Sequence, residues 1–245
     1  MAELLLILPI FLIAGLVKGV AGFGLPTVSI ALLALFRPLP EAMALMLVPS
    51  FATNIWQAVT GGTLRQVAPR IGGFLLCSAL AAFLAAGQLA RADVVLLSGL
   101  LGLCLVGSAA VALAAPSLPA PGARTESWLG PPMGLVSGAI AGLTGSYIVP
   151  AAPWLQAIRL PREQFVQGFG LAVVMVNGSM AAGLAGGGML PVGVGLASCL
   201  GLLPAFAGME VGRRLRRRLN EAAFRQVVQV ALGLLGVWLV LRAVG

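Results

Sequence analysis

Apolar residues fall along this chain in long blocks separated by short polar or glycine- and proline-rich joints. Eight long blocks stand out, at residues 4–20, 42–59, 68–89, 94–115, 128–141, 165–184, 190–210 and 222–244. A hydrocarbon layer about 30 Å thick is crossed by about 20 helical residues. The pattern therefore predicts an all-α polytopic membrane protein. Two shorter blocks, 27–36 and 146–158, each follow a glycine-rich interruption. They are too short for a comfortable span and predict a broken or re-entrant helix.

The two interruptions resemble each other. The first reads GLVKGVAGFGLP from Gly15 to Pro26 and the second GLVSGAIAGLTGSYIVP from Gly134 to Pro150. Other features recur in the same order. LPE at Leu39 to Glu41 answers LPRE at Leu160 to Glu163, Asn54 answers Asn177, and Gly61-Gly62 answers Gly186-Gly187. The expected organisation is a first membrane repeat over 1–115, a proline-rich linker over 116–127 and a second repeat over 128–245. Each repeat holds about four long helices and one short broken helix. Duplicated halves with a broken helix in each are a sequence mark of carriers whose site lies near the bilayer midplane.

Composition agrees with the membrane reading. The chain of 245 residues is 60% hydrophobic and 9% charged, against about 25% charged in soluble domains. No soluble domain fits beside the spans. The net charge of +8 points to orientation in the membrane and not to nucleic acid. Five arginines lie at 213, 214 and 216–218, and such loops fix the cytoplasmic side and meet anionic lipid headgroups. If the short blocks do not cross, Arg37, Arg91, Arg159, Arg162, Arg225 and that run share one side, against Arg65, Arg70, Arg124 and Arg242. If both cross, Lys18, Arg65, Arg70, Arg124, Arg159, Arg162, Arg225 and the run face only Arg37, Arg91 and Arg242. The first arrangement makes the repeats parallel and the second makes them inverted.

Candidate chemistry concentrates at the interruptions. Gly19, Gly22, Gly24 and Pro26 stand within eight positions, and glycine costs about 1 kcal/mol and proline about 3 in a helix interior. Pro26 suits the first turn of a new helix, whose free N–H groups favour an anion. The bland alternative is close helix packing through small residues. Thr144, Gly145, Ser146 and Tyr147 form the second interruption, and Tyr147 is the only tyrosine. Its alternative role is interfacial anchoring. Lys18 is the only lysine, about 21 Å along a helix begun near Leu4. It either serves a site or snorkels to the helix end. Asn54 and Asn177, with Gln57 and Gln167 nearby, either bind a ligand or bridge helices. Cys77, Cys104 and Cys199 show no disulfide or metal spacing. No cofactor, no metal and no catalytic residue are expected, and no histidine is present.

These features together resemble the sulfite exporter TauE/SafE family of membrane transporters over essentially the whole chain. The resemblance rests on GVAGFGLPTVSIALLAL, on GLTGSYIVPAAPWLQAI and on the LPREQFVQGFG continuation. It departs where Gly22-Phe23-Gly24 replaces a triple glycine and where Ser146-Tyr147 stands for glycines. The resemblance implies a multi-pass protein of the bacterial inner membrane that exports a small sulfur oxyanion or organosulfonate and is not an enzyme. The expected substrate contacts are Lys18, Gly22, Phe23, Gly24, Asn54, Thr144, Gly145, Ser146, Tyr147 and Asn177, moved by alternating access. The expected partners are a small anionic substrate and membrane lipids, with room for an oligomer. Two other readings are an anion channel-like pore and a membrane scaffold that binds a partner through the Arg213 to Arg218 loop.

Overall fold

The computed structural model describes residues 2–114, 120–190, 192–216 and 218–244, and these contain helices and no strand. Part of the expected linker, 116–119, and Arg217 of the arginine run lie outside the described residues. The helices are α1 Ala2–Ala21, α2 Leu25–Leu33, α3 Leu39–Thr60, α4 Leu64–Arg70, α5 Gly72–Gly87, α6 Val94–Ala114 and α7 Ala123–Thr144. They continue as α8 Ala151–Ala157, α9 Arg162–Gly186, α10 Val192–Leu200, α11 Leu202–Leu215 and α12 Glu221–Val244. Residues 123–127, within the expected linker, are helical and form the start of α7.

Among the described residues, five helices are long and apolar enough to cross a membrane: α3, α6, α9, the α10–α11 stretch and α12. A sixth span arises if α4 and α5 count as one, although they meet at 70°. The unbroken span expected over 68–89 is thus bent near its start. Pro69 has no N–H to give the carbonyl of Arg65, and Gly72-Gly73 follow at once. α1 is apolar over Ile7–Ala21 but is shorter than a full span over that stretch. α7 has the length, yet its first turns carry Arg124, Glu126, Pro131 and Pro132. Large apolar side chains face outward on most of these helices, among them Leu76, Leu96, Leu203, Leu234 and Leu241. That surface suits lipid and would be costly in water.

Helix directions follow from which residues meet. α1 runs parallel to α3, since Lys18 reaches Thr53 and the carbonyl of Gly22 meets Gln57. α2 turns back, because Leu33 and Phe36 share a cavity with Ile7 and Ile10 near the start of α1. α3 and α9 are antiparallel, with Gln57 against Val166 and Ser50 against Asn177. α1 runs parallel to α11, α5 runs parallel to α7, and α6 is antiparallel to α12. One end of the bundle therefore carries Arg65, Arg70, Arg159, Arg213, Arg214 and Arg225, and the other carries Arg37 and Arg242.

Glycine rows let these pairs approach backbone to backbone. A Cβ on Gly15, Gly19, Gly208 or Gly212 would overlap a carbonyl oxygen across the α1–α11 contact. Gly134, Gly138 and Gly142 press in the same way on Phe74, Ser78 and Ala82 of α5. In lipid, where apolar burial between helices gains little, such close van der Waals contact drives association. The packing reading thus holds for these glycines.

Pro49 interrupts α3 and leaves the carbonyl of Leu45 without its intrahelical donor. Ser198 of α10 fills the gap: its hydroxyl donates to Leu45 O at 2.6 Å and accepts the Val48 N–H at 3.2 Å. Ser198→Ala is expected to cost about 1–3 kcal/mol by stranding both groups. Thermal midpoints in detergent check this against Ser127→Ala, whose hydroxyl is exposed. Equal midpoints for the two variants would mean that the Pro49 kink does not depend on Ser198.

Candidate functional site at the crossing of two helix breaks

Both interruptions reverse the chain inside the protein. At the first, Gly22 and Gly24 have φ of 86° and 103°, and Gly24 precedes the first turn of α2 with Pro26 just inside it. At the second, Gly145 ends α7 with φ 72°. A side chain in this left-handed region costs about 1–2 kcal/mol. A Cβ on Gly145 would also overlap the Ile30 side chain and stand 3.0 Å from Met43 Cγ.

The two breaks cross. From Gly145 the chain runs without helix through residues 146–148, antiparallel to the first turns of α2. Gly145 lies against Ile30, the Ser146 and Thr27 hydroxyl oxygens are 3.0 Å apart, and Ile148 lies beside Gly24. The non-helical segment 146–148 therefore lies beside the first turns of α2. Irregular backbone at membrane depth is tolerated where protein buries it or where it lines a cavity, and Ser146, Tyr147, Ile148 and Gly24 are all buried.

The expected site residues divide into two groups. Thr144 bridges the second turn: its hydroxyl donates to Ile140 O at 2.7 Å and accepts the Ser146 N–H at 3.2 Å. Tyr147 is 2% exposed and donates to Ser78 Oγ at 2.9 Å, so it does not anchor at an interface. Its ring joins Phe74 and Phe169. Phe23 packs on Phe165 and Phe169 at 6.0 and 5.5 Å. The Arg225 guanidinium stands 5.8 Å from the Phe23 ring centre.

The second group lies along α3. Ser50, Thr53, Asn54 and Gln57 occupy one helix face at i, i+3, i+4 and i+7. Lys18 is 2% exposed and its ammonium donates to Thr53 Oγ1 at 3.2 Å, so it does not snorkel out. Thr53 in turn donates to Pro49 O at 2.7 Å. Asn54 Nδ2 donates to Ser50 O at 2.7 Å, and Asn177 Nδ2 donates to Ser50 Oγ at 2.7 Å. Asn177 thus bridges α9 to α3 through Ser50, while Asn54 bonds within α3. Gln57 Nε2 ties the first break to α9 by donating to Gly22 O at 2.9 Å and Val166 O at 2.6 Å. Gln167 serves the end of α3, accepting from Thr63 and donating to Ala58 O.

Among the described residues, no buried side-chain nitrogen or oxygen lacks a partner. The seam is closed, with its buried side-chain polar atoms all hydrogen-bonded. Sequence reasoning missed Thr27, Ser50, Thr53 and Ser78. The α3 spacing alone could have drawn Ser50 and Thr53 beside Asn54 and Gln57. Nothing local marks Thr27 or Ser78. A cavity of about 490 Å³ adjoins both breaks and is lined by Phe23, Ile148, Arg159, Arg225 and Gln229 among others.

The family model described as Sulfite exporter TauE/SafE matches residues 7–239. The chain belongs to the TauE/SafE family. Both breaks, the α3 face and the cavity fall inside the matched stretch. This is a family of membrane transporters, and the helices of this member suit a multi-pass membrane protein. No curated protein and no solved structure matches the chain.

Proposed function

We propose that this TauE/SafE protein exports a small sulfur-containing or organic anion, sulfite or a sulfonate, across a bacterial inner membrane by alternating access. The observation that carries this reading is the crossing of the two breaks, with Thr27 bonded to Ser146 between them. The proposed contacts are Lys18, Gly22, Phe23, Gly24, Asn54, Thr144, Gly145, Ser146, Tyr147 and Asn177. The start of α2 and Lys18 contribute positive potential, and the hydroxyl and amide groups contribute donors.

The moving parts in this reading are two halves, residues 1–115 and 128–245, related by an inverted repeat. The helix pairings support it. Exchanging α1 with α7 and α5 with α11 converts the parallel α1–α11 pair into the parallel α7–α5 pair. The corresponding helices α3 and α9 are antiparallel, as are α6 and α12. Antiparallel counterparts require an axis in the membrane plane. The arginine-rich end then faces the cytoplasm. An interior-negative potential drives an anion outward with about 2.3 kcal/mol per charge per 100 mV, so no proton relay is needed.

The deciding experiment is transport in proteoliposomes under an imposed potential, with sulfite and a small sulfonate as substrates. Saturable flux toward the positive side, without discrete conductance in planar-bilayer recordings, is the expected result. Absence of flux for every small anion tried would overturn the reading, and unitary currents would turn it into a pore.

A further inference from the structure

The 490 Å³ cavity has a chemistry that the crossing itself does not use. It is lined by Phe23 of the first break, Ile148 and Val149 of the second, Ser108 of α6, Gln156 and Arg159 at the end of α8, and Arg225 and Gln229 of α12. Its volume lies within the range of small-molecule sites, about 300–1,000 Å³. Among the described residues the lining holds two guanidiniums and no carboxylate. Two cavities at the other end of the bundle, about 320 and 310 Å³, both hold Arg37, which is 3.0 Å from Glu41, and the second also holds Arg242, which stands over the Trp238 ring.

Three details point to an oxyanion. Arg225 is partly buried and stands over the Phe23 ring, and no described carboxylate pairs with it. Arg159 takes φ 51°, in a position after a short helix that glycine or asparagine usually fills, and it lines the cavity from there. Gln229 is 8% exposed, lines the cavity and has its amide 3.4 Å from Ser108 Oγ, whose proton goes to Leu105 O at 2.8 Å. Guanidinium forks and amide N–H groups are the donors that suit a sulfur or phosphorus oxyanion.

We infer that this cavity is the capture site for the transported anion, a vestibule in which Arg225, Arg159 and Gln229 hold an oxyanion directly outside the Phe23 side chain. The inference rests on the carrier reading and adds to it the residues that first bind substrate. Phe23 belongs to both places, because it lines the vestibule and forms part of the first break. An oxyanion on Arg225 competes with the ring for the guanidinium, so capture weakens the contact that covers the break. The same donors suit the phosphodiester of a lipid headgroup, and the experiment separates the two sources.

The test is calorimetric titration of the full chain with sulfite in phosphatidylcholine nanodiscs, with and without phosphatidylglycerol. Arg225→Gln and Arg159→Gln are each expected to weaken sulfite binding about tenfold, and Arg225→Lys by less, since it keeps the charge and loses the fork. Arg65→Gln, an exposed residue at the same end, is the control for surface potential and is expected to change binding less than twofold. Unchanged affinity in both vestibule variants overturns the assignment while leaving transport by the wild type intact. Loss of sulfite binding when phosphatidylglycerol is added reassigns the cavity to lipid and also overturns it. A wild-type protein that neither binds nor moves the anion removes the carrier reading and the vestibule together. Thermal midpoints confirm that each variant is folded, and Gln229→Glu, which puts a carboxylate in the cavity, gives an independent loss of binding if the assignment is right.

Discussion

Gly138→Leu is expected to abolish recovery of folded protein. Gly138 sits where α7 crosses α5, and even a Cβ there would overlap the carbonyl oxygen of Ser78. The obstacle is backbone, which cannot rotate aside as a side chain can. Overpacking a filled interior costs about 1–3 kcal/mol and occasionally more. Here the helices must also separate along a row that includes Gly134 and Gly142. Separation withdraws Ser78 from the Tyr147 hydroxyl, now 2.9 Å away, and so loosens the second break. The measurement is the yield of monodisperse protein on size-exclusion chromatography, beside Gly107→Leu. Nothing lies within 4 Å of a Cβ at Gly107, so that variant is expected to behave as wild type. Similar yields from the two variants would falsify the claim that the α5–α7 contact depends on the absence of a side chain.

Lys18→Met is expected to preserve the fold and to reduce anion transport about 100-fold. The side chain is buried beside the first break, and its ammonium has Thr53 Oγ1 as partner. A cation at membrane depth is costly, and among the described residues no carboxylate pairs with Lys18 to offset that cost. Removing the charge therefore relieves the resting protein, and the thermal midpoint should hold or rise. The passing anion loses its buried counter-charge. Truncating one partner of a buried charge pair costs about 2–5 kcal/mol, and 1.36 kcal/mol is tenfold in rate. Flux in proteoliposomes and a melting curve on the same preparation read both effects. Normal flux in Lys18→Met would confine Lys18 to bridging α1 and α3.

These two expectations separate two uses of small and polar residues that look alike in the chain. Gly15, Gly19 and Gly138 are apolar-block glycines needed for close approach, whereas Gly24 and Gly145 reverse the backbone. Both kinds occur in the same motif, GLVKGVAGFG, and spacing alone does not sort them. The four-residue rhythm of Gly134, Gly138 and Gly142 does predict a packing face. The positive φ of Gly145 becomes expected only beside Ser146, where the apolar block stops.

The sequence by itself determined the class of protein and the places where its helices fail. Both follow from local physics: long apolar blocks cannot stay in water, and glycines crowded with a proline or with hydroxyl residues, as at Gly22 to Pro26 and at Thr144 to Ser146, weaken a helix. It also held the face of α3 in its spacing. Only the tertiary structure decided which parts meet. Thr27 and Ser146 are 119 residues apart in sequence, and Ser50 and Asn177 are 127 apart. Such pairs depend on helix direction, and every apolar helix carries the same composition read forwards or backwards. The bend at Ile71, the antiparallel run of α3 and α9, and the gathering of Arg159 and Arg225 around one cavity depend on packing, which no single block of residues encodes.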